Sequence, residues 1–243
     1  MNISKTQNNS SVLTLRTDLW WLAPLSSSLA ILAFVIYATW AAFQKGHFEY
    51  QNYHSPFSWP IHPAWWPFSP AFLTIWAPLG FRGTCYYVRR VYYRTFFWDP
   101  PACAVGERRK NYSGEKEVPF IFQNLHRFFL YTTLIELAVL WLDAIHGFIF
   151  SGRFGFGIGS LVLLINSTLL SLYTFSCHAF RHLVGGNLDC FSQCPKRSFL
   201  WKKVSILNER HGLYMWISLG WVGFSDLYVR LLSMGIWKDW RFF

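Results

Sequence analysis

The sequence predicts an all-α polytopic membrane protein: five transmembrane helices in a bundle, with the N-terminus on the cytoplasmic side. Three observations lead there. Of 243 residues, 53% are hydrophobic, 21% aromatic and only 14% charged, whereas a soluble domain carries about 25% charged residues. Apolar runs long enough to cross a bilayer recur along the chain. Lys and Arg fall almost entirely on one side of those runs. The formal net charge of +10 therefore marks the inner face of a membrane and does not form a nucleic-acid groove. Fourteen Trp residues suit the headgroup level, where indoles collect.

Residues 1–18 read as a polar cytoplasmic tail, and 19–243 as the membrane domain. The first apolar run is too long for the core of a cleavable signal, which spans about 7–15 residues. The expected spans are 19–43, 69–88, 120–150, 156–183 and 206–236. The second is interrupted by Pro78 and Gly80. No internal repeat or low-complexity tract is evident. With the N-terminus inside, 17 Lys and Arg lie in inner segments and 4 in outer ones, with Arg230 inside the fifth span. Lys5, Arg82, Arg89 and the run Arg108, Arg109, Lys110 belong to the inner set. The outer loop at 46–70, dense in Trp, Phe and Pro, reads as an aromatic cap lying on the bilayer surface.

This orientation brings the metal-ligating residue types to one depth. Cys85 ends the second span, and His126 begins the third. Cys177, His178 and His182 end the fourth, and His211 begins the fifth. The five cysteines are an odd number without a secretory framework, and so read as thiols or ligands. His178 and His182, four apart, share a helix face, and Cys177 points about 100° away. Mixed thiolate and imidazole donors suit zinc or an iron–sulfur centre. A cluster held by two Cys and two His is the Rieske type. One haem b, held by His126 with His178 or His182, is the competing reading. A second haem is not expected, because the first two spans contain no His.

Four segments in order carry a family resemblance: GFRGTCYYVRRVYYRTFFWDPPACAVGE (80–107), IFQNLHRFFLY (121–131), YTFSCHAFRHLVGG (173–186) and LNERHGLYMWISLGWVGFSDLYVRLLSMG (207–235). Together they resemble the membrane-anchor subunit of bacterial succinate dehydrogenase, respiratory complex II, in its single-chain five-helix actinobacterial form. The resemblance implies a multi-pass protein of the bacterial cytoplasmic membrane. It implies docking of a flavoprotein subunit and an iron–sulfur subunit on the inner face, and leaves room for a small additional anchor subunit. Electrons from succinate would reduce a quinone, menaquinone in this branch. The flavin of a partner would carry out succinate oxidation, and no residue of this chain would. An embedded Rieske-type [2Fe–2S] cluster is implied, with Cys85, His126, Cys177 and His178 as ligand candidates and His182 the rival for the last place. Cys103 is a reserve thiol. Cys190 and Cys194 lie outside the matched motifs.

The remaining expectations concern the quinone. Arg127 and Arg181 are placed to polarise its carbonyls, and His211 to donate a proton. Glu136 lies deep in the third span without a charge partner four residues on, and is a candidate for a proton path. Asp226 and Arg230, four apart, are expected to pair. Two other classes fit less well. A membrane di-iron desaturase or hydroxylase needs more inner-face histidines than this chain offers. A transporter would show inverted repeats and paired broken helices.

Overall fold

The computed structural model describes residues 14, 16–59, 65–98, 100–106, 116, 118, 120–186 and 190–243. Lys5 and the basic run Arg108, Arg109, Lys110, counted above for orientation, lie outside them. Helix α1 (Leu22–Phe43) matches the first expected span. Its Pro24 sits in the first turn, where a missing N–H costs nothing. Only the small residues Ala38, Ala41 and Ala42 are buried, against Phe57 and Val222. Leu25, Leu29, Leu32 and Ile36 face outward. An apolar outside with small residues at the contact is the inverse of a soluble bundle, and is what helix packing in lipid requires.

Three helices are long and apolar enough to cross a membrane: Leu22–Phe43, Ile121–His146 and Ile158–Phe175. The other two expected spans are present as helices but are shorter or more polar. The second is divided into α2 (Ala71–Thr74), α3 (Trp76–Thr84) and α4 (Tyr86–Tyr92). Pro78 cannot donate to the Thr74 carbonyl, which separates α2 from α3, yet Ile75 stays helical at φ −61°, ψ −25°. The real break comes later, at Cys85, which is extended at φ −66°, ψ 130°. Gly80 also does not interrupt the helix. A Cβ there would collide with the Phe129 ring, so the glycine lets α3 close on α5 (His126–His146).

The fourth expected span is broken in the same way. Helix α6 (Ile158–Phe175) ends just before Cys177, extended at φ −68°, ψ 145°, and α7 (His178–Gly185) restarts after it. The fifth is α9 (His211–Ser233), and a separate helix, α8 (Pro195–Asn208), precedes it. Helix α6 sits at the centre, with α5 and α9 against it. Polar side chains join them where lipid offers no alternative partner. Ser167 donates to the Leu140 carbonyl at 3.0 Å, Trp141 Nε1 to Ser171 at 2.9 Å, and Trp221 Nε1 to the Val162 carbonyl at 3.0 Å.

At the end of the bundle expected to face outward, the chain folds inward more than the sequence suggests. The 46–58 half of the expected surface cap forms a hairpin of β1 (Glu49–Tyr50) and β2 (Tyr53–His54). It buries Phe48, Tyr53 and Phe57 in the mouth of the bundle, while Trp65 and Phe68 of the other half remain exposed. The buried Asp226–Arg230 ion pair, 2.7 Å apart, explains the inward fold. Tyr37 donates to Asp226 at 2.5 Å, and Ser55 of the loop donates to its other oxygen. Arg230 donates to the carbonyls of Ala41 and Gly46 and lies over the Phe48 ring. A second hairpin, β3 (Ile149–Phe150) with β4 (Arg153–Phe154), turns at Ser151 and Gly152, both at positive φ. Asp239 near the C-terminus accepts from Tyr53, Tyr228 and the Gly159 amide, tying the tail to the start of α6.

At the other end, Thr14 donates to the Ala104 carbonyl and Arg16 to that of Cys103. The N-terminal segment therefore shares a side with the loop between the second and third expected spans.

Candidate metal centre

Cys85 and Cys177 occupy matching positions. Each is the extended residue between two helices, at the N-terminus of the second. That end of a helix carries the positive end of its dipole and stabilises negative charge. The ligand atoms of Cys85, His126 and Cys177 all lie within 4.8 Å of one another, and all three residues are buried.

The residues around them repeat. Thr84 precedes Cys85, and Ser176 precedes Cys177. Phe81 lies four before Cys85, and Tyr173 four before Cys177. The Thr84 hydroxyl donates to the Gly80 carbonyl at 2.6 Å and is 3.0 Å from His126 Nδ1. Its proton is thus committed, so it accepts the Nδ1 proton of His126. The Nε2 lone pair of His126 is left facing Cys177 Sγ at 2.9 Å. The Ser176 hydroxyl likewise donates to the Tyr173 carbonyl at 3.0 Å and is 2.7 Å from His211 Nδ1. His211 Nε2 then faces Cys85 Sγ at 3.3 Å. Each break therefore holds one imidazole by its hydroxyl and meets the other imidazole with its thiol.

Aromatic rings complete the pattern. Phe81 stacks on His126, with centroids 4.6 Å apart and 10° between planes. Tyr173 stacks on His211 at 4.9 Å and 18°. His211 is wholly buried. Below it, Asn208 donates to the Ser176 carbonyl at 2.7 Å and accepts from Tyr87 at 3.1 Å. Two thiols and two imidazoles with their Nε2 atoms inward form a donor set for a soft or borderline metal centre. The hydrogen bonds on Nδ1 fix tautomer and ring orientation, as outer-shell partners of metal-bound His do.

The other expected site residues lie around this cluster. His178 and His182 on the exposed side of α7 contact each other, Nε2 to Nε2, at 3.0 Å. Together with Arg127, Gln123 and Asn124 they line a cleft of about 520 Å³ that reaches Cys85, His126 and Cys177. Arg181 does not line it; its guanidinium lies 4.3 Å over the Trp201 ring of α8. Glu136 is half-buried midway along α5 and forms no ion pair among the described residues. Cys103 and Cys190 are exposed, and Cys194 partly so.

By sequence Arg82 counts among the inner-face cations. The structure puts it within α3, with its guanidinium 4.4 Å over the Tyr173 ring. Thr84, Ser176, Phe81 and Tyr173 were not singled out. Their signal was the five-residue pattern aromatic-x-x-hydroxyl-Cys, FRGTC at 81–85 and YTFSC at 173–177, too short to stand out along the chain.

A family model for the actinobacterial succinate dehydrogenase subunit SdhC matches residues 22–235. Among solved structures, a chain of the Mycobacterium smegmatis Sdh1 complex in the apo form is 40% identical. That match covers 98% of each chain with a TM-score of 0.85. No curated protein matches the chain.

Proposed function

Because the chain belongs to the actinobacterial succinate dehydrogenase SdhC family, we propose that it is the anchor through which a succinate dehydrogenase passes electrons to membrane quinone. It crosses the cytoplasmic membrane five times, with the N-terminus inside. Helix α9, at 23 residues, is about 34 Å long at roughly 1.5 Å per residue, enough to span the hydrocarbon despite Asp226 and Arg230. The flavoprotein and iron–sulfur subunits dock on the inner face, where the basic residues gather. Their flavin oxidises succinate, and this chain supplies the quinone end.

The observation that carries the reading is the reciprocal Cys/His cluster at the inner end of the bundle. Its four donors suit a Rieske-type [2Fe–2S] cluster: Cys85 and Cys177 as thiolates, His126 and His211 through Nε2. Such a group, when bound, relays single electrons at a potential raised by its imidazoles. His211 thereby replaces His178 or His182 in the expected ligand set. The haem b reading fares worse. Each buried imidazole is already stacked flat on an aromatic ring and faces a sulfur, which leaves no plane between them for a porphyrin.

The cleft beside the cluster suits the quinone head, since ligand sites of this kind run from about 300 to 1,000 Å³. Arg127 directs its charge at one carbonyl, where negative charge develops on reduction. His178 and His182 share a proton between their Nε2 atoms and stand at the cleft wall. They, and not the enclosed His211, are positioned to hand a proton to a quinone oxygen. Menaquinone is the acceptor implied by the family.

The test is to purify the intact complex and measure iron, acid-labile sulfide, zinc and haem beyond the content of the partner subunits. Two extra irons and two sulfides, with a low-average-g EPR signal lost in Cys85→Ser, support the reading. Stoichiometric zinc bound by the same residues, or a haem Soret band, defeats it.

A further inference from the structure

Arg82 is a cation that the site has not yet used. It lies three residues before Cys85, on the helix that delivers that thiol. An Arg side chain keeps its charge under all ordinary conditions, and charges within a membrane bundle are costly unless compensated. No described carboxylate pairs with Arg82. Its guanidinium donates to two neutral groups on α9: the Met215 carbonyl at 3.2 Å and the Ser218 hydroxyl at 2.9 Å. These bonds aim it at the face of Tyr173, 4.4 Å away. The opposite end of that packing arrangement is His211, stacked on the same Tyr173, with Nε2 against Cys85. One aromatic ring thus separates the Arg82 guanidinium from the imidazole that meets Cys85.

We propose that Arg82 is the counter-charge of the Cys/His centre, acting through space to favour its reduced state. The proposal rests on the [2Fe–2S] reading above. Two ferric ions, two sulfides, two thiolates and two neutral imidazoles sum to no net charge. One added electron makes the centre singly negative. A fixed cation then stabilises the reduced form selectively, and in a low-dielectric interior the attraction is little screened. Among the described residues, the ion pair buried within the bundle is Asp226–Arg230, towards the outer end, and no described carboxylate is paired with Arg82. Tyr173 keeps the guanidinium out of contact with the ligands, so Arg82 adjusts the centre without competing for its donor atoms.

The experiment is an EPR-monitored redox titration of the cluster in the purified complex, with iron content measured on the same samples. Arg82→Gln is expected to lower the midpoint potential, and Arg82→Lys to keep it near wild type. Ser218→Asp retains Arg82 but places a carboxylate on it, and is expected to lower the potential as Arg82→Gln does. Should Arg82→Gln fail to assemble, Ser218→Asp carries the test. An unchanged potential in either neutralised variant, with the cluster present, overturns the proposal while leaving the cluster reading intact. A wild-type complex without the cluster overturns both.

Discussion

At the scale of single residues, the Cys/His cluster is arranged by two hydroxyls as much as by its own thiols and imidazoles. Thr84 and Ser176 each spend their proton on a backbone carbonyl one turn back and so can only accept from an imidazole. Thr84→Val and Ser176→Ala remove that acceptor and free the wrong tautomer to form. Loss of an outer-shell partner typically costs about 10–100-fold in metal affinity. Each variant should therefore yield a complex depleted in cluster iron, while Thr84→Ser, which keeps the hydroxyl, retains it; iron and sulfide analysis reads the difference. Glu136 belongs to this scale too. We expect it to serve a proton path across the bilayer, coupling menaquinone reduction to the membrane potential. Glu136→Gln should abolish the sensitivity of succinate:quinone activity to uncouplers in vesicles, and retained sensitivity would remove the idea.

At the scale of elements, the two helix breaks organise the site. An extended residue between two helical segments frees backbone groups and turns the thiol inward, and the sequence uses the same five-residue pattern twice to do so. The close approach of α3 to α5 brings His126 to Thr84. It depends on Gly80, where any Cβ meets the Phe129 ring. Gly80→Ala is expected to destabilise the complex by about 1–3 kcal/mol, the usual cost of overpacking, and to reduce cluster occupancy. Phe129→Ala in the same chain should recover occupancy, because it empties the colliding volume. Thermal melts and iron content on the single and double variants check this.

At the scale of the whole molecule, a buried ion pair ties one end of the bundle, and the Cys/His cluster lies towards the other. Asp226 and Arg230 are both fully enclosed. Removing one partner of a buried pair leaves the other charge uncompensated, at a cost of about 3–5 kcal/mol. Asp226→Ala should therefore lower the melting temperature markedly. Replacing both partners, with Arg230→Met added, should recover much of the loss. Orientation is tested by labelling with a membrane-impermeant maleimide. A cysteine at Ser151→Cys, in the outer hairpin, should react in intact cells, and Cys190 only in inverted vesicles. The Ser192 hydroxyl, 2.7 Å from the Cys190 sulfur, holds that thiol below its ordinary range, helped by backbone bonds from Ser192 and Gln193. Cys190 should thus label at lower pH than a free thiol, and Ser192→Ala should move the profile back up.

The amino-acid sequence by itself determined the class of protein and the order of its apolar helical stretches, though not where the second and fourth of them break. Those features follow from local quantities: apolar runs, scarcity of charge and the side on which Lys and Arg fall. It also put Cys85, His126 and Cys177 in one place, because span direction sets depth. Tertiary structure decided what depth alone leaves open. Depth does not say which way a side chain points around the helix, and a periodic helix model fails at Cys85 and Cys177, where the backbone leaves the helix. Only packing of α3, α5, α6 and α9 could turn His211 to Cys85 and leave His178 and His182 side by side on the cleft wall, away from the thiols. Arg82 shows the same limit. As a letter it counts as one more inner-face cation, and its role emerges only when Ser218, Met215 and Tyr173, over 90 residues away in sequence, close around its guanidinium.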